Sequence, residues 1–173
     1  YLPAIKYLRR PVAEALKRYV ENGGTLVCCD PQGLSQDDCG EDLRPLRQEL
    51  FGVEVVAAGK VDDPRFTQTA SDLGPKLKDK GRLPMYTDAI VKLRLASEKA
   101  AVLAQFGDGS PGLVYSRLGK GRTLYFAFNP LDDAFVTDPA WRGLSRRSQE
   151  WAACAPDQSI SRCKLPPKPE TAI

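Results

Sequence analysis

No histidine occurs anywhere in the chain. That absence removes every Ser–His and Cys–His catalytic pair, because no imidazole exists to act as base. It also removes the commonest zinc ligand. Asp, Glu, Lys and Tyr remain as side chains that could move a proton. No apolar run approaches the ~20 residues that a membrane helix needs, so no membrane segment is expected. The chain opens at Tyr1 with no initiator Met, no basic n-region and no apolar h-region. It therefore reads as a fragment without a visible signal peptide. No C-x-x-C spacing is present, which leaves a thiolate zinc site or a thioredoxin-type centre without support. Excess charge of one sign is small: the formal net charge is +3. That is too weak to imply nucleic acid or another polyanion as partner.

What is present suits one ordinary domain. The chain has 173 residues, 42% of them hydrophobic and 27% charged, values typical of a globular core with a wet surface. The five cysteines are Cys28, Cys29, Cys39, Cys154 and Cys163. The odd count leaves at least one unpaired within the chain. Cys28 and Cys29 lie inside an apolar run and read as small buried hydrophobes.

Residues Pro11 to Asn22 read as a helix, with Pro at its start and Val12, Leu16, Tyr19 and Val20 as one apolar stripe. Gly23-Gly24 then caps it. Thr25 to Cys29 follows as a continuous apolar strand, as expected where both faces are covered. It ends at Asp30-Pro31, and a polar loop runs from Gly33 to Gly40. A second helix is expected over Glu41 to Phe51, striped by Leu43, Leu46, Leu50 and Phe51. Val53 to Ala57 is a short strand. Asp62 to Gly81 reads as an irregular excursion with a short helix near Leu73 to Leu77. Four strands follow: Ala89 to Leu95, Ala101 to Phe106, Leu113 to Leu118 and Thr123 to Phe128. The last two are joined by Gly119-Lys120-Gly121, which fits a hairpin turn. Asn129-Pro130 stops the final strand. Pro139 to Ala153 reads as a closing helix with Asp138 as N-cap. From Pro156 the prolines forbid regular structure. The division expected is an α/β domain over 1–154 and a Pro-rich tail or linker over 155–173.

Each cluster of reactive side chains has an ordinary reading beside a functional one. Asp37, Asp38, Glu41 and Asp42 could face a cation or sugar hydroxyls, or could be a solvated acidic loop before a helix. No EF-hand spacing supports the cation. Gly119-x-Gly121 leads into a strand, not a helix, so it reads as a turn and not as a phosphate cradle. Arg142, Arg146 and Arg147 beside Trp141 and Trp151 could meet nucleic acid. They read better as the wet face of a helix whose tryptophans pack inward. Asp30 and Asn129 end two buried strands on what could be one sheet edge, where α/β proteins place ligands. With Asp132 they form the candidate ligand-binding set. The other reading is strand-end turn chemistry, which Asp and Asn favour; Asp132 and Asp133 in the next loop share both.

Three strings carry a family resemblance. Residues Tyr1 to Gln32, with Tyr19-Val20-Glu21-Asn22-Gly23-Gly24-Thr25-Leu26 at their centre, resemble the trimerisation domain of family 42 β-galactosidases. Leu50-Phe51-Gly52-Val53 is similar to its Leu-x-Gly-Val step. Gly119-Lys120-Gly121-Arg122-Thr123-Leu124-Tyr125 is similar to its late turn and strand. The resemblance covers Tyr1 to Trp151 and implies the class I glutamine amidotransferase-like superfamily. The fold it implies is a flavodoxin-like open sheet, mostly parallel, with helices on both faces and extra β-hairpin strands, incomplete at the N-terminus. Amidotransferases carry a nucleophilic Cys on a Gly-x-Cys-x-Gly elbow. Here Cys28 and Cys29 lie within a strand, so the resemblance implies the fold without glutaminase chemistry. It implies no catalytic residue, cofactor or metal in this segment. It further implies a non-catalytic accessory or oligomerisation domain of a carbohydrate-active enzyme, with other domains of the parent chain and a homo-oligomer as partners. In such parents the catalytic glutamates sit in a separate barrel. Two rival readings stand: a binding or scaffold domain of a transport or surface-associated protein, and a carboxylate-only sugar hydrolase centred on Asp30 and the acidic cluster at 37–42.

Overall fold

The computed structural model describes residues 1–3, 7–60, 65–68, 82–87 and 89–154. The expected helix near Leu73 to Leu77 and the tail over 155–173 lie outside the described residues. Elements run in the order α1 (Arg10–Glu21), β1 (Thr25–Cys28), α2 (Arg44–Phe51), β2 (Val53–Gly59), β3 (Phe66–Gln68), β4 (Arg82–Leu83), β5 (Ile90–Leu95), β6 (Ala100–Phe106), β7 (Pro111–Leu118), β8 (Gly121–Phe126), α3 (Asp133–Thr137) and α4 (Pro139–Ala153).

Two sheets result. The larger has the order β1-β8-β7-β6-β3-β4, and the smaller is a β2-β5 ribbon. Strand β1 pairs parallel with β8, and Leu2 makes a parallel bridge to Cys28 on the other side of β1. Every other pairing among the described strands is antiparallel. The architecture is mixed α/β, and the sheet is mostly antiparallel where a mostly parallel one was expected. The cause is connection length. Short turns join β6 to β7 and β7 to β8, and a parallel partner needs a crossover of a dozen residues or more.

Strand β8, between its parallel partner β1 and its antiparallel partner β7, is buried at every position. Its alternating side chains meet different layers. On one face Thr123 Oγ1 donates to the Leu50 carbonyl at 3.1 Å, and the Tyr125 ring meets Phe51 edge-on with centroids 5.2 Å apart. That face is covered by α2. On the other face Phe128, just past the strand, packs against Trp141 and Phe135 at 5.3 Å each. Arg122 lies over Trp151 at 4.0 Å and donates from Nη2 to the carbonyls of Trp151 and Cys154, at 2.5 and 2.6 Å. A buried cation thus closes the C-terminal end of α4, where free carbonyls favour positive charge. Helices cover both faces, as expected.

Local rules place most elements. Asp138 caps α4, accepting from the amides of Ala140 and Trp141 at 2.7 and 3.0 Å. Trp141, Leu144, Ser148 and Trp151 form its inward stripe. The stripe of α1 is narrower than its periodicity suggests. Ala13 and Val20 are buried, whereas Val12 and Tyr19 are 46% and 54% exposed. The Tyr19 ring lies against the backbone of Gly24, where an added Cβ would come within 2.3 Å of it. Helix α2 begins at Arg44 instead of Glu41, with Pro45 in its first turn. Strands β3 and β4 and helix α3 were not anticipated.

A tight backbone approach joins the two glycine turns. The Lys120 amide donates to the Glu21 carbonyl at 2.9 Å, and the Arg122 amide to the Gly24 carbonyl at 3.2 Å. Gly119 sits at φ 58, and a Cβ on Gly121 would lie 2.0 Å from the Val20 carbonyl oxygen and 2.4 Å from that of Gly24. Replacing Gly121 with Ala should destabilise the domain by about 3 kcal/mol, since backbone cannot yield cheaply. Gly59→Ala, with nothing within 4 Å, should stay within roughly 0.5 kcal/mol of wild type. Denaturant midpoints measure both, and equal midpoints for the two variants would contradict the packing described.

Cys28 and Cys29 are 0% and 1% exposed, as expected of core residues, and are free thiols. Cys154 is disulfide-bonded, and Cys39 is free and exposed. Burial pushes both core thiols up, Cys29 from 9.0 to about 12. At pH 8 a thiol reagent should label Cys39 at once and Cys28 and Cys29 only after denaturation. The folded state keeps these protons where the unfolded chain has lost them. Their contribution to stability is therefore intact below about pH 9 and is lost as pH rises toward 12. A melting temperature that climbs across that interval would contradict this sign.

Candidate functional site

Strands β1 and β8 start level with each other, Thr25 opposite Arg122, and run parallel to Cys28 opposite Tyr125. Their ends therefore open on the same edge of the sheet. Asp30 and Asn129 emerge there and line one open cleft of about 930 Å3. Tyr7, Gln32, Gln36 and Lys60 also line it, as do residues 89–91. The Val91 amide donates to the Ala127 carbonyl at 2.8 Å, which holds the β2-β5 ribbon against the end of β8.

Asp30 is 8% exposed. Its Oδ1 accepts from the Gln32 amide at 2.9 Å, and its carbonyl accepts from the Gly33 amide at 3.1 Å. This is the Asx turn that Asp-Pro at a strand end favours. Asn129 behaves alike: its Oδ1 accepts from the Leu131 amide at 3.1 Å. Its Nδ2 donates to Asp132 Oδ1 at 2.5 Å. Asp132 does not line the cleft; it reaches the site only through Asn129. The structure thus brings two of the three expected residues to one cavity and leaves the third behind.

The acidic cluster is spent on structure. Asp37, 6% exposed, accepts from the amides of Cys39 and Glu41 at 2.9 and 2.7 Å. Asp38 pairs with Arg9 at 2.8 Å, and Glu41 with Arg10 at 2.6 Å. Asp42 takes both arms of Arg44, at 2.8 and 2.9 Å, which lowers its carboxyl to about 2. Ligand atoms of Asp37, Asp38 and Cys39 do lie within 4.8 Å of one another. The two carboxylates are already engaged by backbone amides and by Arg9. The arrangement is a seam between the start of α1 and the loop before α2. On α4, Arg142 and Arg146 are exposed, and Arg146 pairs with Glu150 at 3.4 Å.

One residue of the site was not anticipated. Arg47 on α2 is 2% exposed. Its Nη1 donates to Ser35 Oγ at 3.2 Å and lies 3.5 Å from the Gly33 carbonyl, while Nε is buried with no partner. Near it the Tyr125 hydroxyl donates to the Pro31 carbonyl at 2.8 Å, and burial pushes that phenol up. A signal existed in the sequence: Arg47 falls midway between Leu43 and Phe51 at i,i+4 spacing, on the inward stripe of its helix. Arg47 also lines a smaller recess of about 350 Å3 that shares Gln32, Ser35, Gln36, Ala58 and Val91 with the main cleft.

Chemically, the edge offers a carboxylate, several amides and hydroxyls, an aromatic ring and buried positive charge. Such a set suits binding of a polar ligand. The thiols at the end of β1 hold their protons far above neutral pH and do not supply a nucleophile.

No helix among the described residues is long and apolar enough to cross a membrane. Residues 1–139 match the family model described as the beta-galactosidase trimerisation domain. Among curated proteins, the chain is 31% identical over 144 residues to the β-galactosidase Pbg of Clostridium perfringens, covering 79% of this chain and 20% of that protein. It is 30% identical over 141 residues to the β-galactosidase BglY of Alicyclobacillus acidocaldarius, with the same two coverages. The chain therefore spans about a fifth of the length of these relatives. Among solved structures, a β-galactosidase from Bacillus circulans sp. alkalophilus superposes with a TM-score of 0.64 at 20% identity, over 89% of this chain and 22% of that one. That likeness concerns the fold alone. By the family match, the chain belongs to the β-galactosidase trimerisation domain family, an accessory and non-catalytic part of glycoside hydrolases.

Proposed function

We propose that the parent protein is a β-galactosidase-type glycoside hydrolase assembled as a trimer, and that this domain serves its assembly and shapes the rim of an active site built elsewhere in the chain. The observation that carries this reading is the match of residues 1–139 to the trimerisation domain. The two curated relatives, both β-galactosidases, support it. The parallel trio of the Leu2 segment, β1 and β8, with α1 leading into β1 through Gly23-Gly24, supports the finer assignment to a flavodoxin-like, class I glutamine amidotransferase-like core. On this reading the antiparallel strands β6, β7, β3 and β4 extend that core. The domain would occupy 1–154, followed by a linker over 155–173.

Within the domain, Asp30 and Asn129 form a ligand-facing pair at the strand-end cleft, and Asp132 orients the Asn129 amide. Their convergence on one cavity supports the pairing.

Light scattering on the full-length parent tests the assembly role. A particle of three chains is expected. Deleting the region equivalent to residues 1–154 should leave a barrel that no longer trimerises. A deletion variant that still forms the trimer would remove this reading.

A further inference from the structure

The polarity of the connected cleft is uneven. At one end lie Asp30 and Asn129, which suit hydroxyl groups; the smaller recess at the other is lined by two arginines, Arg44 and Arg47, and one acid, Asp42. We propose that this cleft binds a small polyhydroxyl carrying an acid group, carboxylate or phosphate, with Arg47 supplying the opposite charge. The inference rests on the reading of the cleft as ligand-facing and adds its chemical class.

Arg47 carries the case. An ion taken out of water needs a counter-charge or a full set of hydrogen bonds. Arg47 has these only in part: Asp42 attracts it from the same recess and the Tyr125 hydroxyl is a neighbour, but no carboxylate is paired with it by a salt bridge among the described residues. Its Nη1 is held by Ser35, with a long contact to Gly33, and its Nε has no partner. The neighbouring acid, Asp42, is held in both oxygens by Arg44. Arg122 shows what a settled buried arginine looks like in this fold, with two carbonyls and a tryptophan face around it. An acid group in the recess would give Arg47 a directly bonded anion, which Asp42, held by Arg44, does not supply, and planar guanidinium suits carboxylate and phosphate. Gln32, Ser35 and Gln36, common to both cavities, would sit along the ligand between its two ends.

The experiment is hydrogen exchange on the full-length parent, read at amides 32–36 and 89–91, titrated separately with galacturonate, galactose and inorganic phosphate. The local readout separates this cleft from any sugar site in the rest of the chain. Galacturonate should protect these amides at roughly tenfold lower concentration than galactose. Protection by phosphate alone would assign recognition to the acid group, without need of the sugar, and would support the charge role. Arg47→Gln should cost galacturonate about tenfold while leaving any galactose response unchanged. Should that variant misfold, Gln36→Glu, at an exposed lining position away from the core, supplies the same test by repulsion. Equal protection by galacturonate and galactose, unaltered in Gln36→Glu, would overturn the anion inference and leave the ligand-facing reading intact. No protection by any of the three would overturn both.

Discussion

Two glycine turns, about a hundred residues apart in the chain, press against each other, and the sheet takes its register from that contact. Gly121 leaves no space for a side chain beneath the last turn of α1. Amides of Lys120 and Arg122 meet the carbonyls of Glu21 and Gly24. The contact ties the end of α1 and the start of β1 to the start of β8, so Thr25 falls opposite Arg122. Everything at the far edge follows from this pairing. Parallel strands that begin level also finish level. That is how Asp30 and Asn129 come to face one cleft. Alanine at Gly121 would act on the site only through this register, at the opposite end of the strands.

The αβ unit was legible because local signals agreed with one another. Pro11, the Gly23-Gly24 cap and an uninterrupted apolar strand each pointed the same way, and the structure places α1 and β1 within a residue or two of expectation. Helix α4 was legible to its ends, since Asp138, Pro139 and the tryptophan spacing define it. The direction of the sheet was less so. A continuous apolar strand reports burial on both faces, and burial was taken for parallel pairing. Strand β8 shows the weakness of that step: it is buried on both faces but antiparallel to β7. The short strands β3 and β4 carry too few residues to show a period. Their place in the sheet comes from the partner strand β6 and from Phe66 packing against Phe106.

Of the site, the strand ends could be read and the helix contribution could not. Asp and Asn after buried strands are recognisable where they stand. Arg47 becomes informative only with the knowledge that α2 turns that position inward. The acidic loop makes the opposite case. Four carboxylates in six residues suggest a cation site, but the arginines that neutralise three of them come from the start of α1 and from α2. Exposed pairs of this kind contribute little each. Their use here is to hold the loop that carries Gln32 to Gln36 beside the cleft.

Polar groups at strand ends can serve more than assembly. Assembly needs surface complementarity, which neither a buried guanidinium nor a recessed carboxylate supplies. Both Asp30 and Arg47 are more than nine-tenths buried, on a cavity connected across the loop between them. Replacing such groups by apolar ones is often neutral or stabilising, so packing alone does not call for an arginine at this position. The Ser35 contact accounts for one arm of that side chain and the turn it secures. Its Nε has no hydrogen-bond partner and its nearby acid, Asp42, is held by Arg44, and a domain devoted to assembly that also senses a small acid in its cleft accounts for both features together.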